Sequence, residues 1–229
     1  MSGGAVANGL GRFRARAWRA LLGDRIIRDG AVDTAAYCRS PLRIVYLLKE
    51  ANAGDDRTSW DLREFLRVGG RGHTWNMVAY WSYALLNELP DWREVPGADE
   101  RFRQRWLRQV AVVNLNKAGG GDHSSRSALL TVVGACANLL REQLRSLRPD
   151  VLVCGGTADL ASAVLNEGGG PRWRYLSERS RYAEGTDVAR WLLDVPHPQA
   201  RLRGRILYGA VTLAARRLGI TKVRARAGT

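Results

Sequence analysis

The stretch Leu42-Arg43-Ile44-Val45-Tyr46-Leu47-Leu48-Lys49-Glu50-Ala51-Asn52 changes character part-way along. Leu42–Leu48 is an almost unbroken apolar run, and charge and amide then follow at once. A short run rich in branched and aromatic residues reads as a strand buried on both faces, the habit of strands in a parallel sheet. Three further runs repeat the pattern: Val110–Leu115, Asp150–Cys154 and Trp191–Val195. Between them lie helical patterns at Ser59–Leu66, Thr74–Leu89, Ser127–Leu147, Thr157–Leu165 and Leu202–Leu218. Glycine pairs or prolines punctuate them, as at Gly69-Gly70, Pro90 and Arg148-Pro149. Strands alternating with helices predict an α/β fold: a three-layer α/β/α sandwich with a central, mainly parallel four-stranded sheet.

The chain has 229 residues, 45% of them hydrophobic, which suits one compact domain with short appendages. The expected division is a basic N-terminal extension over 1–30 with a helix, a domain over 31–221, and a basic disordered tail over 222–229. The net charge is +14, and all but three of the 36 basic residues are arginine. Such a surplus favours a polyanionic partner, and nucleic acid is the default candidate. No apolar run approaches the roughly 20 residues of a membrane-spanning helix, so an integral membrane protein is excluded. The Arg-rich segment Arg12–Leu22 reads as a basic helix packed on the domain or touching phosphates, in preference to a transit peptide or membrane anchor. Cys38, Cys136 and Cys154 form no C-x-x-C pair, so neither a zinc knuckle nor a four-cysteine cluster is expected. With no secretory signal visible, the expected location is cytoplasmic and nucleoid-associated, and the expected state is a monomer.

Ligands of parallel α/β sheets bind outside the carboxyl ends of the strands, which directs attention to the residues after each run. The first run is followed by Lys49-Glu50-Ala51-Asn52-Ala53-Gly54, and the second contains Asn114-Leu115-Asn116-Lys117 and leads to Gly119-Gly120-Gly121-Asp122-His123. Gly155-Gly156-Thr157-Ala158 follows the third, and Pro196-His197-Pro198-Gln199-Ala200-Arg201 the fourth. Neither a P-loop, a dinucleotide-binding glycine motif nor the nucleophile elbow of α/β-hydrolases is present at these positions.

In these four segments the chain resembles the uracil-DNA glycosylase superfamily. Glu50-Ala51-Asn52-Ala53-Gly54 is similar to the first motif of that family, and Asn114-Leu115-Asn116-Lys117 to the T-N-x-x-K element of its bacterial branches. Arg148–Ala158 resembles its P-x-v-i-v-x-L-G-x-x-A strand and turn, and His197-Pro198-Gln199-Ala200 its H-P-S/A motif. The segments occur in the right order, each at the end of an expected strand, and cover residues 42–217. Lys49-Glu50 stands in place of the first motif's opening glycine, Ala53 in place of its proline, and Gln199 in place of a small residue. The cluster cysteines of the thermophile-type branches are absent, so the resemblance is to a divergent branch without an iron–sulfur cluster, and no cofactor is implied.

The resemblance implies a monofunctional DNA glycosylase for uracil or a modified pyrimidine, acting in base-excision repair or in defence against phage with modified DNA. It implies that Asn52 holds the attacking water and that His197 donates a hydrogen bond to the departing base, as a neutral imidazole of fixed tautomer. Asn114 would read the flipped base, beside Glu50 and Ala51, and Trp60 or Phe65 would stack on it. Arg201 and Leu202 occupy the place of the wedge loop, and Lys117 and His123 would face DNA. In one branch a histidine in a loop like that of His123 captures the sugar covalently, although here the basic run of that branch is missing. Plainer readings stand beside these: Asn52 as a turn cap, His197 as a surface turn residue, and Arg101, Arg103, Arg105 and Arg108 as a solvated helix face. The competing function is a non-catalytic nucleic-acid-binding protein that retains the fold.

Overall fold

The computed structural model describes residues 17–20, 23, 26–52, 60–120, 125–166 and 169–220. At its centre is one sheet of seven strands: β1 (Gly30–Ala31), β2 (Ile44–Asn52), β3 (Ala111–Gly120), β4 (Val151–Gly155), β5 (Arg174–Ser177), β6 (Ser180–Glu184) and β7 (Trp191–Val195). Their spatial order is β1-β3-β2-β4-β7-β6-β5. The four apolar runs are β3, β2, β4 and β7, and they pair parallel to one another.

The sheet is therefore larger than the four strands expected, and it is mixed. β1 joins β3 antiparallel, and the β5–β6 hairpin joins β7 antiparallel. These additions carry little apolar signal. β1 is two residues long, and the outermost strand exposes Arg174, Tyr175 and Ser177. An edge strand needs no doubly buried run, and charge on it discourages pairing with another chain.

Alternate residues of β2 feed two cores, as the two-residue period of a strand requires. Ile44, Tyr46 and Leu48 face helices Leu62–Arg67, His73–Leu86, Glu100–Leu107 and Gly204–Arg217. Val45 and Leu47 face Thr34–Arg39, Arg126–Leu147 and Ser162–Leu165. On the first face the buried Trp81 indole donates to the Leu207 carbonyl at 3.0 Å, tying two helices together. On the second, Ser125 caps the long helix by accepting from Ala128 N–H, and the helix ends at Arg148 with φ +48, just before Pro149.

The boundary at residue 30 is corrected. Ile27 is 2% exposed and donates its N–H to the Lys117 carbonyl, and Arg28 pairs with Trp60 and Leu62 through the backbone. Residues 26–30 thus belong to the domain. Of the Arg12–Leu22 segment, residues 17–20 are described; they are helical, and Trp18 is buried against the second core. The tail 222–229 lies outside the described residues. Among those described, no helix is long and apolar enough to cross a membrane.

Candidate functional site at the carboxyl ends of the parallel strands

From β2 the chain reaches β3 on one side and β4 on the other, so the strand order reverses at β2. Such a reversal opens a crevice at the strand ends, the usual ligand position in an open α/β sheet. Here β2 outlasts its apolar run and continues to Asn52, with Leu48 level with Asn114, Glu50 with Asn116 and Asn52 with Gly120. On the other side Leu47 is level with Cys154, and Gly155 with Val195. Asn52, Asn114, Gly155-Gly156 and His197 therefore share one end of one sheet.

Neighbouring residues pack closely on the two glycines after β4. A Cβ on Gly155 would lie 2.8 Å from Leu48 Cδ2 and 3.1 Å from Pro198 Cδ, so no side chain fits there. Gly156 has φ +65, and a Cβ on it would lie 3.3 Å from the His197 nitrogen. Its own N–H donates to the Val195 carbonyl at 2.7 Å, and the buried Thr157 hydroxyl donates to the Leu47 carbonyl at 2.7 Å. Three strand ends are thereby fastened to each other.

His197 is half-buried in the turn after β7. Burial, and secondarily the charge of Lys49, pulls its pKa down to about 4, so the imidazole is neutral at physiological pH. Gln199 N–H donates to Nδ1 at 3.1 Å, which makes Nδ1 the acceptor and leaves the proton on Nε2. Nε2–H has no acceptor among the described residues. The turn thus presents a neutral donor of fixed tautomer.

Asn114 is 2% exposed, its backbone N–H donates to Asp29 at 2.7 Å, and its amide nitrogen has no partner among the described residues. Buried polar groups are ordinarily paired, so the unpaired amide nitrogen on the fourth residue of β3 is unusual. Next to it, Asn116 donates to Glu50 at 3.0 Å and accepts from Ala118 N–H, which holds the Glu50 carboxylate at the rim. Ala51 is buried in the first core. Asn52 is placed by its backbone register alone; its side chain, and all of His123, lie outside the described residues.

Several expected contributors are elsewhere. Lys117 is not a DNA contact: it is 3% exposed, and its ammonium lies 2.6 Å from both oxygens of Asp29 and 5.4 Å from the Trp18 ring centroid. The strand's alternation explains this, since Lys117 points to the face opposite Asn114 and Asn116. Trp60 and Phe65 are half-buried in an edge-to-face series with Trp75, at 5.8 and 6.4 Å between ring centroids. Leu202 is half-buried and packed on the first core, so in this conformation it is no projecting wedge, whereas Arg201 beside it is exposed. Leu202 lines an apolar groove of about 440 Å³ with Leu176, Pro196, Ile206, Ala210 and Leu213, alongside the His197 turn. Arg103 is not a solvated residue, since it donates to the Gly69 and Ala98 carbonyls. Among the described residues no group of three His, Cys, Asp or Glu side chains is arranged to hold a metal ion.

Lys49 is the residue that the sequence showed only as a departure from a motif. It is half-buried, and its charge is the second cause, after burial, of the lowered His197 pKa. Its signal in the sequence is a charge placed directly at the end of an apolar strand. Comparison with models of known protein families and with curated proteins finds no match.

Proposed function

We propose that the chain is a monofunctional DNA glycosylase that hydrolyses the N-glycosidic bond of a flipped-out uracil or modified pyrimidine, on a three-layer sandwich of the uracil-DNA glycosylase type. The observation that carries this reading is the His197 imidazole: neutral, with its proton on Nε2, and standing at the carboxyl end of β7, two strands from the reversal of strand order at β2. When the C1′–N bond breaks, its electron pair leaves with the base and positive charge grows on the sugar. A fixed donor aimed at the base oxygen stabilises that developing charge more than it stabilises the intact nucleotide, which is what lowers a barrier. The oxygen of a water then bonds to C1′ and its proton passes to solvent; Asn52, by the motif it occupies, is the residue to hold that water.

Asn114 suits the reading of the base. Its backbone lies three strand spacings from β7, about 14 Å, with β2 and β4 between, on the same end of the sheet as His197. The orphan amide nitrogen is then an unsatisfied donor that a base carbonyl would satisfy. The +14 charge supplies the general attraction to DNA.

The test is an alkali-nicking assay on oligonucleotides carrying uracil, a thymine mismatch, hydroxymethylcytosine or its glucosylated form. Strand cleavage confined to one or two of these identifies the base and separates repair from phage defence. Absence of cleavage on all four, together with salt-sensitive DNA binding, favours the non-catalytic alternative.

A further inference from the structure

We propose that the β5–β6 hairpin is a separate contact for single-stranded nucleic acid, a platform on which the exposed Tyr175 ring stacks against an unpaired base. It stands apart from the strand-end site, and no part of it depends on base excision.

The platform follows from register. Tyr175 is level with Arg181 within the hairpin, and Arg181 is level with Asp194 of β7, so the three form one row across the edge of the sheet. Residues level with each other on paired strands stand on the same face, within reach of one another. Arg181 bonds Asp194 at 2.8 Å and bonds Asp159 as well, so its guanidinium is fixed from two sides. The ring centroid of Trp173 lies 4.6 Å from that guanidinium, and that of Tyr175 lies 6.0 Å from it. Trp173, half-buried, packs against the second core and anchors the group. A planar cation locked by two carboxylates and attended by two rings is a rigid support.

Tyr175 is nevertheless 71% exposed, more than any other large apolar side chain among the described residues. Keeping an edge strand soluble requires only charge and polarity, which the exposed Arg174 and Ser177 already supply. A ring fixed at its base and open to water is suited instead to stacking on another flat group. Cations surround it. Arg172, Arg174 and Arg179 are exposed and make no ion pair with a described residue. From Pro171 to Tyr182 four arginines stand against one acidic residue, Glu178.

The ligand must therefore offer both a flat apolar face and negative charge. A nucleotide has both. In a duplex the faces of the bases are already stacked on their neighbours and only the phosphates remain, so the Tyr175 ring finds its partner where bases are unpaired. A sulfated polysaccharide would use the arginines alone, and a neutral peptide the ring alone.

The experiment separates stacking from charge. Fluorescence anisotropy measures binding of an oligodeoxyadenylate of about ten nucleotides, and of an abasic oligomer with the same number of phosphates. Neither carries a pyrimidine for the strand-end site. The wild-type protein is expected to bind the oligodeoxyadenylate about tenfold more tightly than the abasic oligomer. Tyr175→Ala is expected to remove most of that advantage while changing affinity for the abasic oligomer by less than about twofold, and Tyr175→Phe to keep it. Because the ring is exposed, thermal unfolding of both variants should match that of the wild type. Equal wild-type affinities for the two oligomers, or an unchanged advantage in Tyr175→Ala, overturn the platform. An equal loss for both oligomers in Tyr175→Ala overturns it in favour of a general phosphate contact. These outcomes leave base excision untouched, and failure to excise any base leaves the platform standing.

Discussion

Lys117 separates a residue that holds the fold from one that touches DNA, and replacing it tests which it is. The Asp29 carboxylate, 2% exposed, accepts from Lys117 Nζ at 2.6 Å on each oxygen, from Gln143 Nε2 at 2.8 Å and from Asn114 N–H at 2.7 Å. Burial pulls the Lys117 pKa below its ordinary value, and the Asp29 charge opposes that pull. Lys117→Met removes the compensating charge and leaves a buried carboxylate with its two neutral donors. Breaking one side of a buried pair costs about 3–5 kcal/mol. At roughly 2–4 °C per kcal/mol for a chain of this size, Tm should fall by about 6–20 °C. Asp29→Asn added to Lys117→Met should recover much of the loss, because it neutralises the stranded charge. Thermal unfolding by circular dichroism reads both. In parallel, the slope of log affinity for DNA against log salt should be unchanged, because this ammonium meets no phosphate. The reasoning is refuted if Lys117→Met unfolds within about 0.5 kcal/mol of the wild type and flattens the salt slope by about one, the signature of a phosphate contact.

Asn52→Ala and His197→Ala should each lower single-turnover cleavage of the true substrate by about 10²- to 10³-fold, with little change in duplex affinity; wild-type rates in a quench-flow assay would move the active site elsewhere. Because His197 is held down to about 4 from its ordinary 6.5, the folded state binds fewer protons than the unfolded state between those values. Its contribution to stability is therefore complete above pH 6.5 and is lost as pH falls towards about 4. An NMR midpoint near 6.5 would contradict both this and the expected absence of an acid limb near that pH in the cleavage rate. Arg201, Arg203 and Arg205 are exposed and make no ion pair with a described residue, so replacing any one with alanine should reduce the salt slope by about 0.9, read by fluorescence anisotropy between low and physiological salt.

The parts of the fold that bury apolar residues on both faces were legible in the sequence. Trp191–Val195 is a strand with the bounds read from its residues, and Val110–Leu115 and Asp150–Cys154 fall on β3 and β4 within a few positions. The continuation of β2 through Lys49 and Glu50 to Asn52 was not legible, because a strand end that lines a crevice carries polar residues and looks like a loop. The helical pattern at Ser59–Leu66 corresponds to a helix that starts only at Leu62, where the side chain that accepts from the first turn is that of Asp61. At the candidate site, the order of motifs indicated which strand ends to inspect and singled out His197 and Asn114. It could not show that Lys117 turns away from them. Asn114 and Lys117 are three residues apart and so point to opposite faces, and Asp29, which decides the role of Lys117, is 88 positions distant. Long-range partners of this kind leave no local trace.

The β5–β6 hairpin changes the mechanical standing of the histidine. Without it β7 would form the rim of the sheet, and rims breathe, exchange their amides and invite pairing with other chains. With Arg181 to Glu184 hydrogen-bonded along Trp191–Asp194, β7 is an interior strand tied on both sides, to β4 and to β6. Arg181 reinforces the join by bonding Asp194 at 2.8 Å and bonding Asp159 as well. A turn that springs from a strand clamped in this way has little freedom to drift. The donor geometry of His197 is thus inherited from the hairpin, a segment whose own residues lie on the far side of the strand from Gly155 and Gly156. Amides of Leu192 and Leu193 should accordingly exchange on the timescale of global unfolding, and shortening the hairpin should loosen the imidazole before it loosens the core.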